Sequence, residues 1–293
     1  MTKRPRPTAQ PSAVSHTTVG DVVVSAVNDG VFNISLDDIV GVPRDDIEAA
    51  QTSDFRPIPP LLTVNSFLIQ TPERLLLVDT GFIGEFPTVG RLLPNLASIG
   101  VEPSDIDAIL MTHMHPDHEA GLTDENGKAI YPNAELIVHE DEVSFWTDEG
   151  AYSRASETVQ GYFRLARTGL AAYEGRTTQV SGDDEPVPGI RVFPTPGHTP
   201  GHTAWHVHSG DESMLIWGDV VHLPGIQLAL PDAGVAFDID SNAAAVTRKR
   251  VLDQVTSDRM RVAGVHLDHP SVGRIVRKGN GYGFLPEVWQ PTL

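Results

Sequence analysis

Apolar residues along the chain follow two rhythms. Unbroken runs at residues 21–27 (DVVVSAV), 61–70 (LLTVNSFLIQ) and 74–79 (RLLLVD) are aliphatic and β-branched and end at turn residues. That pattern predicts buried strands. The same signal recurs at 106–111, 135–138, 190–193, 202–208, 213–217 and 261–265. Helical spacing appears at 89–99, interrupted by Pro94, at 139–146, at 152–173 with Tyr162, Phe163 and Leu165 near its apolar side, and at 242–255. GNG at 279–281 predicts a hairpin over 273–284. Strands and helices mix in each half, and no low-complexity linker separates them. The expectation is a flexible Pro-, Ser- and Thr-rich tail at 1–16, then a single α/β domain at 17–293 with two sheets packed inside helices. Residues 35–60 hold a short helix at best and end in a Pro-rich stretch. They are too long for a plain connection, and are a candidate lid, pocket wall or homodimer contact.

Composition removes several function classes. The chain has 39 acidic and 21 basic side chains in 293 residues, a net charge of −18, and no cysteine. Without thiols there is no disulfide framework, no thiolate zinc site and no cysteine nucleophile. Nucleic-acid binding needs clustered Lys and Arg, so no nucleic-acid partner is expected. No run reaches the roughly 18 apolar residues of a membrane helix, nor do the first residues carry the roughly 7–15 apolar residues of a secretory signal. No membrane partner and a cytoplasmic location are therefore expected.

Chemistry concentrates at a few strand ends. THMHPDH at 112–118 places His113, His115, Asp117 and His118 directly after a predicted strand, and Pro116 prevents a simple helix through the group. Four such side chains gathered for packing alone would be costly. PTPGHTPGH at 194–202 presents His198 in a Pro/Gly-bounded loop, Asp219 ends the run SMLIWGD, and VAGVHLDHP at 262–270 delivers His266 from a strand, ahead of its competitor His269. His202, His206 and His208 alternate along one strand and read as sheet-face residues, and His16 and His139 receive the same reading.

The sequence HxHxDH, then PGHTPGH, then GD after an apolar strand, then a late His, all preceded by LLLVDTG at 75–81, resembles the metallo-β-lactamase superfamily. The resemblance spans about residues 61–270. It implies an αββα sandwich with a binuclear metal centre at the edge of the sheets. In that arrangement His113, His115 and His198 hold one metal, Asp117, His118 and His266 the other, and Asp219 bridges both. Asp79, Thr112 and Thr199 would orient ligands from behind. Imidazole and carboxylate donors suit two divalent ions, zinc first, with manganese, cobalt or iron as alternatives.

Metals roughly 3.5–4 Å apart share a bridging hydroxide, and the summed site charge of about +1 favours a neutral substrate that becomes anionic. Asp117 is the catalytic candidate for orienting the nucleophile and passing a proton to the leaving oxygen. Segments 215–228 and 265–286, with the RKR helix near Arg248, resemble the branch of methyl-parathion hydrolase and related lactonases. In many acyl-homoserine lactonases a tyrosine helps bind the substrate carbonyl where this chain has His222, which could donate that bond itself. Phe82, Phe86, Phe145 and Trp146 are candidates for an apolar wall. The expected activity is opening of neutral lactones or cleavage of aryl esters, with a phosphotriesterase and a non-catalytic metal-binding module as alternatives.

Overall fold

Alternate residues of the apolar runs serve different layers. In the run 75–78, Leu76 and Val78 belong to the core between two sheets, while Leu77 packs with Leu92, Leu96 and Tyr131 beneath helices. In the run 214–217, Met214 and Ile216 enter the same inter-sheet core, while Leu215 and Trp217 pack against Val251, Leu252 and Val255. Strands buried on both faces lose their polar alternation, which explains the unbroken runs.

The computed structural model describes residues 6–8, 10–83 and 86–293. β1 (Val14–Val19) and β2 (Val22–Asn33) form a hairpin, followed by the short β3 (Ile39–Val40) and α1 (Arg44–Ser53). β4 (Leu61–Gln70) returns antiparallel to β2 and leads into β5 (Leu75–Val78) and α2 (Leu92–Ser98). β6 (Ala108–Leu110), the single turn α3 (Pro116–Glu119), β7 (Glu135–His139), α4 (Glu140–Thr147), α5 (Glu149–Arg154), α6 (Glu157–Ala172) and β8 (Thr177–Val180) complete the first half. The first sheet has the order β1-β2-β4-β5-β6-β7-β8, with β5 to β8 parallel.

The second half contributes β9 (Ile190–Pro194), β10 (Thr203–Ser209), β11 (Glu212–Ile216), α7 (Pro224–Gln227), β12 (Gly234–Val235), α8 (Ser241–Ser257), β13 (Arg261–Ala263), β14 (Val272–Lys278) and β15 (Gly281–Pro286). Its sheet has the order β15-β14-β13-β11-β10-β9. Helices cover the outer face of each sheet, giving the αββα sandwich. Asn65 on β4 ties the layers together: its side-chain amide donates to the Val265 and Leu267 carbonyls at 2.8 and 2.9 Å, while its carbonyl oxygen accepts from Asn28.

Several boundaries differ from expectation. Residues 1–5 and 9 of the expected tail lie outside the described residues, and Val14 to His16 already pair with β2, because the β-branched residues on both sides of Gly20 form a hairpin. The helix expected over 152–173 is two helices, since the Ser156 hydroxyl accepts from the Val159 N–H and starts α6 anew. Pro94 falls in the first turn of α2, where it costs no helical hydrogen bond. The segment 35–60 contains α1, and its Ile39 and Ile47 pack with Leu223, Ile226 and Val235. Among the described residues no helix is long and apolar enough to cross a membrane.

Candidate metal centre

The polar residues that break the apolar pattern follow strand ends and meet at one edge of the sandwich. Asp79 follows β5, His113 to His118 follow β6, His198 lies between β9 and β10, and Asp219 and His266 follow the parallel neighbours β11 and β13. Pro116 occupies the first position of α3, which turns the chain so that Asp117 and His118 join the imidazoles before it.

Two groups form around one carboxylate. The ring nitrogens of His113, His115 and His198 lie 2.9 to 3.2 Å from one another. Asp117 Oδ2 lies 3.8 Å from His118 Nε2 and 3.6 Å from His266 Nε2. Between them, Asp219 turns Oδ2 to His198 Nε2 at 3.2 Å and His113 Nε2 at 3.7 Å, and Oδ1 to His118 and His266 Nε2, each at 3.1 Å. Apart from Asp117, whose side chain is 17% exposed and faces a cavity, these side chains are buried.

The rear nitrogens fix the tautomers. His118 Nδ1 donates to Asp79 Oδ2 at 2.8 Å, His198 Nδ1 to Asp238 Oδ1 at 2.7 Å, and His266 Nδ1 to the Thr63 carbonyl at 2.6 Å. Thr112 Oγ1 donates to Asp79 at 2.8 Å and lies 3.1 Å from His113 Nδ1. Each of these four rings therefore turns its Nε2 inward. Asp79 does this from a left-handed backbone, φ +57°, which a non-glycine residue rarely adopts.

Electrostatics divide the imidazoles. Burial, reinforced by the other histidines, holds His113 and His115 well below the ordinary imidazole range. Burial also pulls on His118 and His198, but carboxylates outweigh it: Asp219, Asp117 and Asp79 carry His118 well above the usual value, and Asp219 with Asp238 carry His198 to about 9. Burial opposes ionisation of Asp219, yet the surrounding histidines hold its carboxyl well below the normal carboxylate range.

The donor set fits divalent ions. Buried His118 Nε2 and Asp219 Oδ1, although 3.1 Å apart, are not aligned for a hydrogen bond and have no other hydrogen-bond partner among the described residues, and the converging nitrogen and oxygen atoms supply what a borderline dication requires. Four groups among the described residues could hold an ion: His113 with His115 and His198, Asp117 with His118 and His266, Asp219 with His198 and His222, and Asp219 with His113 and His202.

The remaining expected residues fall into different places. His222 is 1% exposed, with Nε2 3.0 Å from Asp219 Oδ2 and its ring stacked on His266; burial lowers it to about 4. Thr199 shapes the His198 loop through its carbonyl, which accepts from the Gly197 and His202 N–H. His269 lies outside the cluster, 3.3 Å from Asn65 Oδ1. His202 is not a plain sheet-face residue, because its Nε2 accepts from the Asp219 N–H at 2.9 Å while Nδ1 donates to the Thr195 carbonyl. Gly218 admits this contact, since a Cβ there would lie 2.7 Å from His202 Nε2. Asp238 and Glu142 are further polar partners that the motifs do not announce.

A cavity of about 770 Å³ opens beside Asp117 and Asp219. Phe32, Phe82 and Phe86 line it with ring centroids 5.0 to 5.9 Å apart, joined by Ile34, Leu62 and Phe237. Ile34 and Leu62 belong to the cluster that seats the 35–60 segment, which thereby backs the cavity wall. Phe145 and Trp146 instead pack with Phe163 beneath the helices.

The model of the metallo-beta-lactamase superfamily matches residues 59–266. An N-acyl homoserine lactonase from Bacillus sp is 31% identical over 159 residues, covering 47% of this chain and 55% of the relative. The chain thus spans about half the length of the curated relatives it matches. Two solved structures overlay nearly the whole chain. One, hydrolase AbOPH in the beta lactamase superfamily, has 28% identity and a TM-score of 0.88 over 96% of this chain and 100% of its own. The other, AidC, a dizinc quorum-quenching lactonase in complex with a product, has 26% identity and a TM-score of 0.89 over 95% and 99%.

Proposed function

Because the chain belongs to the metallo-β-lactamase superfamily, we propose that it is a metal-dependent hydrolase that opens neutral lactones or cleaves aryl esters with two divalent ions, zinc foremost. The observation that carries this reading is Asp219, whose carboxylate stands within 3.2 Å of ring nitrogens from both groups of ligands, beside an apolar cavity. His113, His115 and His198 would hold one ion, Asp117, His118 and His266 the second, and Asp219 both. When bound, such a pair supplies Lewis acidity and lowers the pKa of water at the attacked group.

The chain's own residues do the rest. Phe32, Phe82, Phe86 and Phe237 bind the apolar part of the substrate and exclude water from it. Asp117, the ligand-group carboxylate that reaches the cavity, orients the attacking water, takes a proton from it and hands that proton to the leaving oxygen. His222, buried beside Asp219 and outside the cavity lining, would support that carboxylate rather than touch the substrate. Asp79 and Thr112 hold the His113 and His118 rings, and Thr199 holds the His198 loop.

The test is to quantify metal per chain and compare lactones, N-acyl homoserine lactones among them, with aryl esters and phosphotriesters. Two ions per chain and faster turnover of lactones or esters are expected. Far faster phosphotriester cleavage would replace this reading with a phosphotriesterase, and metal without turnover would leave a binding module. Asp117→Asn should weaken the second ion site and lower kcat by about 10²–10⁴-fold; near-normal turnover with both ions bound would refute its proton transfer.

A further inference from the structure

Glu142, on α4, has a 0% exposed side chain and belongs to neither group of ligands. Its Oε2 accepts from the Met114 backbone N–H at 2.9 Å and from the Trp146 indole at 2.8 Å, while Oε1 accepts from the Gly201 N–H at 3.0 Å. Met114 stands between His113 and His115. Gly201 closes the loop that carries His198. One carboxylate therefore joins the two chain segments whose imidazoles make up a single triad. The approach is close, since a Cβ at residue 201 would lie 2.5 Å from the Glu142 backbone nitrogen.

We propose that Glu142 is a positioning residue that sets the spacing of the His113, His115 and His198 nitrogens and so selectively tightens that one ion site. The other triad is held from elsewhere: Asp79 backs His118, and Asn65 and the Thr63 carbonyl fix the His266 loop. A plain packing role for Glu142 would loosen both triads or neither. The inference rests on the two-ion reading above.

Glu142→Gln discriminates. A carboxylate accepts on both oxygens, whereas the glutamine amide must turn its NH₂ toward at least one N–H donor, and keeping the Met114 and Trp146 bonds leaves Gly201 facing it. Elemental analysis after graded chelation should show wild type retaining two ions and Glu142→Gln retaining one, with the lost ion bound about 10–100-fold more weakly. Hydrogen exchange should quicken at 197–203 and stay unchanged at 264–268. Trp146→Phe removes the indole donor and some ring volume beside His115 but leaves the Met114 and Gly201 bonds in place, and should keep both ions. Glu142→Asp preserves the acceptors at shorter reach, should fall between, and carries the same readout if the Gln variant does not fold. Parallel loss of both ions, retention of both, or an equal loss in Trp146→Phe overturns the proposal. A wild-type protein that does not take up two ions fails earlier, at the metal reading itself, and takes this inference with it.

Discussion

Behind Asp117 and Asp219 at the floor of the cavity, His118, His198 and His266 each rest a rear nitrogen on an oxygen 2.6 to 2.8 Å away, whereas at its wall Phe32, Phe82 and Phe86 have ring centroids 5.0 to 5.9 Å apart. Directional bonds permit one arrangement of the floor. Dispersion and burial permit many arrangements of the wall. On the proposed reading, the chemistry would be tied to fixed atoms, while the choice of substrate would rest on a surface that can be reshaped without disturbing them.

The most severe way to break the floor is Asp219→Ala. Removing the carboxylate shared by both groups should leave one ion or fewer per chain and lower turnover by more than the 10–100-fold typical of outer partners. Unchanged metal content would show that the residue is not a bridge. Asp238→Asn and Asp79→Asn probe the next layer, where weaker support for His198 or His118 should reduce metal affinity by about 10–100-fold with the fold retained. Chelator competition measures this, and wild-type affinity in both variants would deny the rear carboxylates their orienting role.

Phe86→Ala should act least. The ring is 37% exposed, so losing part of its buried surface is worth about 1 kcal/mol, and KM should rise about fivefold while kcat and metal content hold. A lost ion in this variant would erase the distinction between floor and wall.

Legibility from sequence follows the same division. His113, His115, Asp117 and His118 are contiguous, and the Pro/Gly frames of 194–202 and the aliphatic runs before Asp219 and His266 mark where strands deliver them. Asp238 carries no such mark: it lies 40 residues from His198 in a loop without a motif, and only docking brings them together. His202 was visible within PGHTPGH, but its alternation with His206 and His208 looked like an ordinary strand face. Glu142 sits in VHEDEVSFW among other acidic residues, and its burial depends on α4 packing over two loops. The first hairpin was hidden by the polar residues upstream of it, since short β-branched runs acquire meaning only when paired.

Asn65 joins β4 to the carbonyls of Val265 and Leu267, on either side of His266. Neither half of the chain contains all of His113, His115 and His198 or all of Asp117, His118 and His266, since His113, His115, Asp117 and His118 precede residue 181 while His198, Asp219 and His266 follow it. On the two-ion reading, the proposed sites would come into being only after two distant halves have closed on each other. Tight metal uptake would then be a late event that records completed assembly, and the ions would in turn hold that closure by mass action, by about 4 kcal/mol at a thousand times their dissociation constant.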